Sequence, residues 1–72
     1  MPNLEVCQML RKRTEAYYNN PKWVSTGSTT PLARLGACFG IAVADLSNRH
    51  KVELRSDVIS HVWNELSVAY LR

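Results

Sequence analysis

Pro31-Leu32-Ala33-Arg34-Leu35-Gly36-Ala37-Cys38-Phe39-Gly40-Ile41-Ala42-Val43-Ala44-Asp45-Leu46 is the stretch whose reading decides the fold. Thr30 precedes it as a good N-cap, and Pro31 suits the first helical position, where its missing N–H would be unpaired anyway. Only Arg34 and Asp45 carry charge within it. Leu32, Leu35, Phe39, Ala42 and Leu46 recur at steps of three and four and form one large-residue stripe. Gly36, Gly40 and Ala44, flanked by Ala33 and Ala37, form a second stripe of small residues. A helix apolar on nearly all sides must be enclosed by other elements or by a second chain. The sequence therefore predicts the buried central helix of a small all-α domain.

Two further helices flank it. Asn3 caps a first helix over about 3–18, with Glu5 in its first turn and Val6, Cys7, Leu10 and Tyr17 on one face. Arg13 and Thr14 interrupt that face, and the Arg13 stem is expected to lie over the core with its guanidinium in water. Asn19-Asn20-Pro21 stops this helix, because the residue before a proline avoids the helical region. A loop over 19–30 follows, in which Trp23 is either an anchor on the core or an exposed recognition residue. The central helix is expected over 31–47, and Val52–Arg55 reads as extended or as the lead-in to a last helix. That helix spans about 56–71, with Ser56 as N-cap, Asp57 in its first turn, and Ile59, Val62, Trp63, Leu66, Ala69 and Tyr70 at helical spacing. The fold expected is a three-helix bundle, or a four-helix one if the central run breaks at Gly40, and dimerisation would complete it.

The composition narrows the class. Seventy-two residues make one domain near the size limit for a single core, and such a chain buries only about 60% of its unfolded surface. With 46% apolar and 21% charged residues it is globular in composition, not disordered. The central run of 16 residues would span roughly 24 Å, short of the ~30 Å hydrocarbon core, so no membrane span is expected. Its N-terminal stretch lacks the apolar segment of a secretion signal. Cys7 and Cys38 are too few for a disulfide scaffold and lie on apolar faces, which suits inert thiols in a cytoplasmic protein. The net charge of +3 is mildly basic and decides nothing alone.

No motif specifies a chemistry. His61 and Glu65, at i and i+4, read as a helix-surface pair and not as an acid–base couple. Cys38 sits too deep in the apolar run for a nucleophile. Gly36 and Gly40 lack the spacing and lysine of a phosphate loop. Cys7, Cys38, His50 and His61 lie too far apart for a metal site. No catalytic residue, cofactor or metal is expected.

Binding remains. Gly36, Gly40 and Ala44 permit close approach of a partner helix, a device best known from membrane helices, and Trp23 is a further candidate contact. A homodimer through this region is expected. Arg11, Lys12 and Arg13, with Arg49, His50, Lys51 and Arg55, would contact phosphate or an acidic surface if the fold brings them together. The function expected is a small non-enzymatic interaction protein, an adaptor or inhibitor of a larger macromolecular partner. The alternative is a helix-turn-helix-like DNA-binding regulator. With Gly40 as the turn glycine, Leu35, Gly36, Phe39, Ile41 and Leu46 fall at suitable packing positions. Against it, Arg49 falls at a position that should be apolar, and Ala42–Leu46 offers few side chains that read bases.

Overall fold

The computed structural model describes residues 3–20 and 30–71. Among these there are three α-helices and no strand: α1 (Leu4–Tyr18), α2 (Pro31–Ala44) and α3 (Ser56–Tyr70). α2 passes through Gly40 without a break and continues into a π turn over Asp45–Arg49. The chain is a small helical bundle, and the four-helix version, which needed a break at Gly40, does not form. An exposed glycine inside a helix costs only about 1 kcal/mol, and the buried contacts of Leu35, Ala42 and Leu46 on either side outweigh it. Most of the 19–30 loop and Trp23 lie outside the described residues.

Local chemistry sets the helix starts. The Asn3 side chain accepts from the Glu5 and Val6 N–H groups at 3.0 and 3.3 Å. Thr30 accepts from Ala33 N–H at 3.1 Å, with Pro31 in the first turn. α3 begins at its expected cap residue, Ser56, so the cap position falls one residue earlier. Arg55, extended at φ −75° and ψ 157°, occupies the N-cap position and offers no side-chain cap, while Ser56 is already helical. Asp57 instead accepts the Val58 N–H at 2.9 Å. Val52–Arg55 is the lead-in to α3, with Val52 and Leu54 packed on the core.

The core takes one stripe from each helix: Cys7 and Leu10, then Leu35, Ala42 and Leu46, then Val58, Val62 and Leu66. Thr14 joins the buried face of α1 and does not interrupt it. Its hydroxyl donates to the Leu10 carbonyl at 2.9 Å, so the methyl group is what its neighbours meet. Leu32 is a correction to the large-residue stripe, being 57% exposed. Enclosure of the central helix also fails. Ala33, Gly36, Ala37, Gly40 and Ala44 are exposed, because the core-forming stripe of α2 lies on its opposite side.

Two residues past the π turn stands Lys51, whose φ of 57° is left-handed. The Val52 N–H then turns back to the Leu46 carbonyl at 2.9 Å. Glycine takes this conformation without the Cβ clash that disfavours lysine. Lys51→Gly should therefore stabilise the fold by about 1 kcal/mol, read as a rise of roughly 4–8 °C in Tm. Leu35→Ala, at a fully buried site, should cost about 2–5 kcal/mol in chemical denaturation.

Candidate functional site

The open side of α2 is the first element of the site. Ala33, Gly36, Ala37, Gly40 and Ala44 share it, and none bears a charge or a hydrogen-bonding side chain. Outward faces usually carry polar side chains, as α1 does with Glu5, Gln8 and Lys12, and α3 with Ser60, His61 and Asn64. Trp63 covers one border of the α2 face. Its ring meets Phe39 at 5.2 Å between centroids, and its edge would lie 3.9 Å from a Cβ at Gly36. A Cβ at Gly40 would meet nothing within 4 Å. Trp63 thus fills part of the small-residue stripe and leaves the rest open.

A cationic corner adjoins this face where α2 ends. Asp45 is 8% exposed and sits between two guanidinium groups, Arg13 at 3.1 Å and Arg49 at 3.6 Å. The Tyr17 hydroxyl donates to the same carboxylate at 3.3 Å. Arg13 also lies 3.3 Å from His50 Nε2. An arginine can only donate, so His50 Nε2 is the acceptor in this contact. The fold thus unites Arg13 from the first basic cluster with Arg49 and His50 from the second. Lys12 and Lys51 are exposed beside them in sequence.

The other basic candidates go elsewhere. Arg11 turns to the α3 side and pairs with Glu15 at 3.8 Å and Glu65 at 3.6 Å. Consecutive helical residues diverge by about 100°, so Arg11 and Arg13 cannot share a face. Arg55 pairs with Asp57 at 3.7 Å. His61 lies 3.3 Å from Glu65, the expected i, i+4 surface pair. Arg34, which sequence reasoning assigned no role, donates to the Tyr18 carbonyl at the end of α1 and stacks 4.2 Å over the Tyr18 ring. It supplies the cation that the last turn of α1 lacks.

Gly40 lies in mid-helix, so the turn that a helix-turn-helix would require there does not exist. Among the described residues no helix is long and apolar enough to cross a membrane, and no group of three metal-ligating side chains forms. No family model matches the chain, and no curated protein or solved structure is significantly similar to it.

Three acids have neutral forms favoured by folding. Burial raises the Cys7 thiol above its ordinary 9.0, helped by the Glu65 and Asp57 carboxylates. Burial raises Cys38 as well, against the opposing Arg34 charge. The hydrogen bond to Glu15, at 2.7 Å, is the main cause raising the Tyr70 phenol above 10.0, with burial adding to it. A raised acid contributes stability that is complete below its unfolded value and lost as pH rises through the folded one. Tm should therefore fall as pH rises above about 9, and a Cys7→Ala/Cys38→Ala double variant should show a shallower alkaline decline than the parent.

The two arginines on Asp45 should differ in consequence. Arg13→Ala removes the closer partner of a buried carboxylate and should cost about 1.5–3 kcal/mol. Arg49, with its side chain 77% exposed, should cost under about 1 kcal/mol as Arg49→Ala. Urea denaturation of the two variants checks the order.

Proposed function

We propose that this chain is a small non-enzymatic interaction protein, an adaptor or inhibitor, that docks a partner helix on the outward face of α2. One observation carries this reading: the chain places two glycines on the exposed face of α2, where its own packing needs neither. Gly40 faces open space, and a Cβ at Gly36 would make only ordinary contact with Trp63. Relative to alanine, each costs the isolated chain about 1 kcal/mol of helix stability. A glycine is useful on such a face where another backbone approaches closely. Leu32, more than half exposed, and the rings of Phe39 and Trp63 offer larger apolar contacts along one border of the same face. A second copy of the chain, giving the expected homodimer, or a helix of another protein would fit such a face.

Gly40→Leu separates this function from folding. The side chain has room in the monomer, so the helical circular dichroism should persist and Tm should rise slightly. Association should be lost, read by sedimentation at high micromolar concentration and by panning a displayed library of random helical peptides. A wild-type chain that stays monomeric and enriches no peptide that Gly40→Leu rejects would refute the function.

A further inference from the structure

We infer that the occupant of the α2 face is an acidic amphipathic helix of another protein, with the carboxylates at one of its ends paired by Arg49 and Lys51. The inference rests on the docking role proposed for α2 and names the chemistry of the partner.

The uncharged face and the cationic corner are continuous. A shallow depression lined by Ile41, Ala44, Asp45, Asn48 and Arg49 lies where one gives way to the other. A helix laid along Ala33, Gly36, Ala37, Gly40 and Ala44 would bring one of its ends to Arg49.

The corner is built to present donors. Asp45 is buried and holds Arg13 and Arg49 on either side, fixing the two guanidinium groups without covering Arg49. A guanidinium carries five N–H donors in a planar fork that matches a carboxylate, so most of those on Arg49 still face outward. Lys51 keeps an ammonium at a left-handed position that glycine would fill with less strain. Three acids are engaged elsewhere, Glu15 and Glu65 by Arg11 and Asp57 by Arg55, and the acid nearest the corner in sequence is the exposed Glu53.

A second copy does not supply the missing charge. The first turn of α2 contains no acid, and the single carboxylate of the central run, Asp45, is already consumed. Antiparallel pairing would set the Leu32 end of one copy against the corner of the other, and parallel pairing would set the two cationic corners together. A nucleic-acid backbone fits less well. The cations occupy one corner, the adjoining Ala/Gly face offers phosphates nothing, and the outward side of α3 carries Ser60, His61, Asn64 and Glu65 without a lysine or arginine.

The test pans wild-type protein against displayed random peptides of about 20 residues, roughly 30 Å when helical. Enriched peptides are then titrated against wild type, Arg49→Gln/Lys51→Gln and Gly40→Leu at about 50 and about 300 mM salt. The expected peptides carry Asp or Glu in one terminal turn beside small or apolar residues at i and i+4. Arg49→Gln/Lys51→Gln, with unchanged circular dichroism, should weaken them about tenfold and remove most of their salt dependence. Peptides without acids, lost on Gly40→Leu but indifferent to Arg49→Gln/Lys51→Gln, would overturn the acidic partner and leave the docking role standing. A concentration-dependent dimer that excludes peptides would assign the face to a second copy and overturn the inference. So would salt-sensitive binding of a duplex of about 20 base pairs with no peptide enriched. Failure of every probe with a monomeric chain would overturn the inference and the docking role together.

Discussion

The buried carboxylate of Asp45 is the contact on which the arrangement of this chain depends. It sits at the end of the most apolar helix and is reached from α1 by Arg13 and Tyr17, and from its own turn by Arg49. Eleven positions earlier, Arg34 binds the last carbonyl of α1. The only two charges of the central run thus both engage the C-terminal half of α1. An ion pair of this kind adds little net stability compared with an apolar replacement, but losing one partner strands the other. Its consequence here is orientation: Leu35, Cys38, Ala42 and Leu46 must face inward, and Gly40 must face out.

That orientation links the fold to the function proposed. α1 and α3 lie on the large-residue side of α2, so among the described residues most of the small-residue side is left open, with Trp63 at one border. Asp45 has a second effect, because holding α2 on α1 also gathers Arg13, Arg49 and His50 at one end of the open side. A single buried residue therefore positions an uncharged helix face and a cationic corner beside it. The docking proposed for this face would reuse ordinary helix packing: a helix in a groove gives area, and charges at the rim select among partners.

Much of the fold was legible in the sequence because its signals are local. Asn3 and Thr30-Pro31 announce helix starts through side chains that reach only two or three residues ahead, and the spacing of Val62 and Leu66 marks the inner face of α3. What depended on distant partners was not legible. Arg11 and Arg13 stand two residues apart, and only the packing of α3 and α2 sends one to Glu65 and the other to Asp45. Thr14 looks polar on paper, yet its hydroxyl is spent on Leu10 of its own helix. Gly40 was ambiguous because the same residue suits a turn and a close helix contact. Its neighbours decided the matter, since Leu35 and Cys38 before it and Ala42 and Leu46 after it are buried along one continuous helix and its π turn. Enclosure of the run was expected from its composition, but two neighbouring helices packed on the same side cannot surround a third.

The openness of α2 is the central claim, and solvent paramagnetic relaxation of the alanine methyl groups tests it most directly. In dilute, monomeric protein a soluble paramagnetic probe should strongly relax the methyls of Ala33, Ala37 and Ala44 and spare that of Ala42, which is fully buried in the same helix. Equal protection of all four methyls would show that the chain covers this face itself and would contradict the docking surface.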